Sequence, residues 1–162
     1  MKTVYLGLGS NVGDREANLR DALKRLESAG IRVVRRSSLY ETEPQELREQ
    51  PWFLNAVVEV ETDLFPLQVL ACIRNIERAM GRRRVTPKGP RNIDIDILFY
   101  GRSVIDTADL EVPHPRIAQR RFVLEPLSEI APDFRNPVTG KTAREMLAGL
   151  EPQGVRRLDV TL

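Results

Sequence analysis

The chain has 162 residues, 41% hydrophobic and 30% charged, which is the balance of one globular domain with a real core and not of a disordered chain. No run approaches 18 apolar residues, so a membrane-spanning helix is excluded, and the apolar part of the opening MKTVYLGLGSN is too short and glycine-broken for a secretory signal. Net charge is only +2, yet residues 82 to 91 (RRRVTPKGPR) hold five cations and no acid, leaving the rest at −3; so local a cluster suggests a small anionic ligand before bulk nucleic acid.

In chain order, TVYLGLGS at 3 to 10 reads as a strand. Leu19, Ala22, Leu23 and Leu26 recur at i, i+3, i+4 and i+7, which predicts an amphipathic helix ended by Gly30. IRVVRRSSLYET at 31 to 42 reads as a second strand, and EPQELREQPW at 43 to 52, with two prolines, as a loop. From Phe53 to Glu61 the alternation sends Leu54, Ala56, Val58 and Val60 to one face and Phe53, Asn55, Val57 and Glu59 to the other. Asp63 is the expected cap of the next helix, with Pro66 in its first turn, Val69, Ile73, Ile76 and Met80 as its core stripe, and Gly81 as its stop. Cys72 is the only cysteine, which excludes an internal disulfide and fits a reducing cytoplasm. The basic loop then runs into NIDIDILFY, a strand.

This β-α-β-β-α-β order predicts an α+β fold with a ferredoxin-like core. Proline-punctuated segments follow, then a short helix near 143 to 150 and a last strand near 156 to 160. No linker divides residues 1 to 162, so a single domain is expected.

The strand period puts Asp94 and Asp96 on one face, with Ile93, Ile95 and Ile97 on the other. Their backbones lie roughly 6–7 Å apart, and converging carboxylates at that spacing can bracket two metal ions about 3.5–4 Å apart. Two carboxylates at a central strand need cations, from metal or from arginine. Spacing alone leaves open a structural ion pair with Arg82, Arg84 or Arg91. The adjoining loop, with Arg82, Arg84, Lys88 and Arg91 between glycines and prolines, favours Mg²⁺ and phosphate, with forked arginine bonds to the phosphate oxygens. A solvated basic loop would explain the composition but not its place beside the acidic strand.

Phe53 and Asn55 share a strand face, where a ring and an amide could stack on a flat heterocycle and read its edge, although Phe53 could equally be core. His114 is the only histidine, so a multi-histidine metal site is impossible; with Arg120, Arg121 and Phe122 it forms a second candidate anion patch. Glu77 reads as a solvated helix charge. GLGSNVG has the wrong glycine spacing for a dinucleotide loop, and NPVTGKT at 136 to 142 lacks a P-loop's first glycine; the latter reads as a turn before a helix.

GLGSN, FLNAVVEVET, GRRR, GPRNIDIDIL, VPHPR and RRFVLEPLSEIAP, in that order, resemble the 6-hydroxymethyl-7,8-dihydropterin pyrophosphokinases from about residue 3 to 135. The resemblance implies a folate-pathway enzyme that moves the β,γ-pyrophosphoryl group of ATP to the pterin hydroxymethyl group and leaves AMP. It implies two Mg²⁺ ions on Asp94 and Asp96, Arg82 and Arg91 as catalytic-loop arginines, and Arg84 in loop closure. His114 and Arg120 would contact ATP phosphates, with Glu77 beside the nucleotide. Phe53 and Phe122 would sandwich the pterin, Asn55 would bond its edge, and the Thr42, Glu43 and Pro44 segment would add backbone contacts. Lys88 and Pro115 stand where members often carry aromatics. The expected working unit is a cytoplasmic monomer that takes ATP and hydroxymethyldihydropterin, with no nucleic-acid or membrane partner. Rival readings are an RNA-binding ferredoxin-like module using the basic loop, which leaves Asp94 and Asp96 unexplained, and a nicotinamide-dependent reductase built on GLGSNVG.

Overall fold

The computed structural model describes residues 1–44, 49–82 and 90–162. Strand β1 (Lys2–Ser10) runs between β4 (Phe53–Thr62) and β5 (Asp94–Tyr100). The far side of β4 pairs with both β2 (Arg32–Arg36) and β3 (Ser38–Thr42), and β8 (Val155–Thr161) extends the sheet beyond β3. Every one of these pairings is antiparallel. Two short strands, β6 (Ile105–Asp106) and β7 (Glu111–Val112), form a separate ribbon.

The expected single strand over 31 to 42 is two strands, broken at Ser37. Its N–H donates to Val57 O at 3.0 Å, and its buried Oγ accepts from Val57 N–H at 2.9 Å. A side chain thus replaces one rung of the ladder, and the chain kinks without leaving a buried backbone group unpaired.

Helices α1 (Arg15–Ser28) and α2 (Pro66–Ala79) cover one face of the sheet. The predicted stripe of α1 is buried there with Val4, Leu6, Leu8, Val58 and Val60, joined by Val69, Ile73 and Ile76 from α2. Asp14 caps α1 by accepting from Ala17 N–H. The expected cap of α2 is corrected. Phe65 holds the N-cap position because Pro66 keeps the preceding residue extended, and Gln68 accepts the Phe65 N–H at 2.8 Å. Asp63 pairs instead with the amino terminus.

The other face is covered by α3 (Arg121–Ile130) and α4 (Ala143–Ala148). Helix α3 is a further correction, since prolines had marked this region as irregular; Pro126 is tolerated inside it and buried. Val123, Leu124, Leu127 and Ile130 pack against Tyr5, Val57 and Phe99, and Phe134 stacks near both aromatic rings at 4.8 and 4.7 Å. Glu129 fastens α3 to the sheet by accepting from the Ser38 N–H and Oγ and from Tyr40 Oη. The turn read at 136 to 142 does lead into α4, where Thr142 and Glu145 form a reciprocal cap.

Strand β5 carries a bulge. Tyr5 pairs with Phe99 and Leu6 with Ile97, so Leu98 is an extra residue. Leu98 and Phe99 therefore both face α3, and Tyr100 returns to the α1–α2 side.

Candidate active site

At the end of the sheet where β1 finishes and β4 and β5 begin, Gly9 is paired with Asp94 on one side and with Asn55 on the other. Gly7 is paired in the same way with Asp96 and Val57. The two carboxylates thus lie on the α3 face of the sheet, as the alternation predicts, with side-chain-free backbone between them and β4. Two strand spacings separate Asp94 from Asn55, about 10 Å between backbones.

Arg82, just beyond α2, is the cation at the centre. Its side chain is only 8% exposed; Nη1 donates to Asp94 Oδ1 at 3.0 Å and also to Glu77 Oε2. The same Glu77 oxygen accepts the Ile95 N–H at 3.0 Å, between the two aspartates. Glu77 is therefore no solvated helix charge, and that expectation is corrected: it fixes Arg82 and the outer edge of β5 together. Burial pushes its carboxyl pKa up, against the pull of Arg82. Arg82 Nε is buried and meets no hydrogen-bond partner among the described residues, a donor suited to an anion.

Arg91 approaches Asp94 at 3.6 Å and lies over the Phe53 ring at 5.0 Å. Its backbone is held by Asn11. The Arg91 N–H donates to Asn11 Oδ1 at 2.7 Å, and Asn11 N–H donates back to Arg91 O. Asn11 Nδ2 donates at 2.9 Å to both Gln50 Oε1 and Pro51 O. Asn11, in the GLGSN segment, thus joins the two loops that flank the site. Sequence reasoning gave it no role, since an asparagine after a strand carries no distinguishing spacing.

Asp96 has its pKa pushed up to about 7, first by burial and then by the neighbouring charge of Asp94; Arg120 and, more weakly, Arg82 oppose this. Among the described residues no third carboxylate, histidine or cysteine joins the pair in a metal-binding group. Two carboxylates on one sheet face, the inner one held protonated more readily by burial and by its neighbour, fit a divalent cation whose remaining ligands come from substrate phosphates and water.

The other expected residues gather unevenly. Asn55 Nδ2 donates to Thr42 Oγ1 at 2.6 Å, and both side chains are buried. Arg120 lies 5.5 Å from the centre of the Phe122 ring at the start of α3. The His114 N–H donates to Leu98 O, which ties it to β5, and its Nδ1 accepts the Arg116 N–H, which puts the ring proton of a neutral His114 on Nε2. Glu43 is drawn the other way, its N–H bonded to Gly154 O; Pro44 is buried. Arg84 and Lys88 lie outside the described residues.

Residues 5–132 match the family of 7,8-dihydro-6-hydroxymethylpterin-pyrophosphokinases. The chain belongs to this family. It is 46% identical over 160 residues to the 2-amino-4-hydroxy-6-hydroxymethyldihydropteridine pyrophosphokinase of Methylorubrum extorquens, covering 98% of this chain and 100% of that one. It is 42% identical to the enzyme of that name from Bacillus subtilis, over 94% of this chain and 87% of the other. A folic acid synthesis protein of Pneumocystis carinii is 47% identical over 86% of this chain, which spans only 19% of that longer protein. The fold is shared with a crystal structure of Plasmodium falciparum HPPK-DHPS, at a TM-score of 0.75 and 19% identity, over 91% of this chain and 43% of that one. The family is thus found both as a chain of this length and as part of longer proteins. Among the described residues no helix is long and apolar enough to cross a membrane.

Proposed function

We propose that this chain transfers the β,γ-pyrophosphoryl group of ATP to the hydroxymethyl group of 6-hydroxymethyl-7,8-dihydropterin, releasing AMP, in folate biosynthesis. The observation that carries the reading is the single sheet face on which an arginine-flanked carboxylate pair lies one bare strand away from Phe53 and Asn55. Charge handling and heterocycle recognition are thus adjacent, as a transfer between a triphosphate and a flat ring requires. Family membership favours this over an RNA-binding module or a nicotinamide reductase. The strand order β5, β1, β4, then β2 and β3, supports a ferredoxin-like core, with β8 as an addition. Residues 1–162 are read as one pyrophosphokinase domain, acting as a cytoplasmic monomer.

In this reading Phe53 and Phe122 stack on the pterin, while Asn55 reads its edge, with backbone contacts from the segment Thr42, Glu43 and Pro44. Arg82 and Arg91 offset charge developing on the transferred group, with Arg84, His114 and Arg120 on ATP phosphates and Glu77 holding Arg82 in place. Asp94 and Asp96 would hold two Mg²⁺ ions, which supply charge neutralisation at the attacking and leaving oxygens. The pterin hydroxyl attacks the β-phosphorus in line as the bond from that phosphorus to the α-phosphate oxygen breaks; AMP leaves with that oxygen, and the hydroxyl proton passes to solvent. The transition state of such a transfer is loose, so positioning and charge outweigh nucleophile activation, and no strong base is needed.

The test is AMP release from ATP and Mg²⁺ with and without the hydroxymethyl pterin. AMP that appears only with the pterin, matched by pterin pyrophosphate, is expected. Pterin-independent hydrolysis, or no AMP, would overturn the proposal.

A further inference from the structure

We infer that Gly9 determines specificity for the pterin, because its missing side chain is the space in which the Asn55 carboxamide lies. The inference rests on the reading of Asn55 as the group that bonds the heterocycle's edge. Gly9 and Asn55 are direct cross-strand partners. A Cβ on Gly9 would lie 2.4 Å from Asn55 Oδ1 and 3.6 Å from both Asn55 Cγ and Phe53 Cδ1. The first distance is impossible for real atoms, so alanine at position 9 must move the amide.

The amide has little freedom to give way. Nδ2 is bonded to Thr42 Oγ1 at 2.6 Å, and both residues are buried. Among the described residues Oδ1 accepts no side-chain or backbone hydrogen bond, which leaves it as the acceptor the site offers a ligand. Swinging Oδ1 away from Gly9 therefore breaks the Thr42 bond or turns the acceptor out of the position it holds beside Phe53.

The backbone does not itself require glycine here. Gly9 sits in regular antiparallel pairing with both neighbours, and its φ is outside the left-handed region. Glycine in a central strand costs stability, since it forfeits packing and increases the entropy lost on folding. Room for Asn55 is the compensating use. Gly7, two residues back on the same face, provides the contrast: the nearest atoms to a Cβ there belong to Leu98, at an ordinary 3.5 Å.

The experiment measures dissociation constants for hydroxymethyldihydropterin in the presence of Mg²⁺ and a non-hydrolysable ATP analogue, and for that analogue alone. The variants are Gly9→Ala, Gly7→Ala, Asn55→Ala and the double change Gly9→Ala with Asn55→Ala. Gly9→Ala is expected to weaken pterin binding by about tenfold or more and to leave nucleotide binding within about twofold. Asn55→Ala should weaken it similarly, and the double variant no further, because the clashing oxygen is gone. Unchanged pterin affinity in Gly9→Ala, additive losses in the double variant, or an equal loss in Gly7→Ala would each overturn the inference while leaving the Asn55 reading intact. Wild-type pterin affinity in Asn55→Ala would overturn the reading beneath it. If Gly9→Ala alone does not fold, the double variant should; a double variant that also fails to fold overturns the inference.

Discussion

Arg82 donates to Asp94 at 3.0 Å while also gripping Glu77, so one buried guanidinium joins the end of α2 to the acidic strand β5. Removing that cation leaves two carboxylates without it. Arg82→Ala is expected to destabilise the fold by about 3 kcal/mol, with part of the loss recovered by adding Glu77→Gln. Thermal melts of the single and double variants measure this. In kinetics, Arg82→Ala should lower turnover more than ATP affinity; a pure loss of affinity would contradict a role in the transition state.

Asp96 should behave oppositely in stability and in catalysis. Asp96→Ala is expected to lower AMP release by orders of magnitude, with the circular dichroism spectrum retained. Near-parental turnover would sink the assignment of Asp96 to metal.

The pH dependence follows from the raised pKa of the same group, from 3.8 to about 7. The folded chain binds this proton more tightly than the unfolded chain, so stability falls as pH rises between those values, and the full cost stands above the upper one. Relative to Asp96→Asn, the parent should therefore become progressively less stable from about pH 4 to about pH 7 without metal. Mg²⁺ with ATP should reduce the gap at the upper end. Denaturant titrations of both proteins across the range check the sign.

Asn11→Ala removes three side-chain hydrogen bonds that join Arg91 to Gln50 and Pro51. At about 1 kcal/mol each, a loss near 3 kcal/mol is expected, with turnover reduced because Arg91 keeps only one of the two bonds that hold its backbone to residue 11. Asn11→Asp retains the acceptor for the Arg91 N–H but loses both donors, and should fall between the two in turnover.

Glu129 provides a control in which structure and chemistry separate. Glu129→Ala leaves Ser38 and Tyr40 without their acceptor and should cost about 3 kcal/mol in unfolding experiments. Turnover at low temperature should change little. A selective loss of turnover with stability intact would show that the α3 clamp has a direct catalytic part.

The elements legible in the sequence are those in which one period runs uninterrupted. The alternation of IDID gave the faces of Asp94 and Asp96 correctly, and the stripe of α1 is buried as read. The kink at Ser37 was not legible, since a serine that replaces one ladder bond resembles any other strand serine. Helix α3 was hidden by Pro126, although Val123, Leu124, Leu127 and Ile130 already carry the helical period. In the site, the closeness of Asp94 to Arg82 and Arg91 was legible because charge near a strand demands a partner, whereas Glu77 read as a solvated helix charge and is instead bonded to Arg82 and Ile95. Asn11 and Gly9 were not legible, because one acts through neutral hydrogen bonds and the other through the space it leaves empty.

The extra residue at Leu98 bears on how this chain can vary. It divides β5 into an outer half that delivers carboxylates and an inner half that delivers Leu98 and Phe99 to the same side of the sheet. The two halves are held in different phase. Losing Leu98 would restore plain alternation and leave both the acids and Phe99 on the α3 side, whereas losing Ile95 would carry Asp94 to the opposite side. Deleting the Ile95 codon should therefore abolish activity, whereas deleting Leu98 should cost only the packing of its side chain against α3. The bulge thus marks a position in β5 where length can change without turning a carboxylate over.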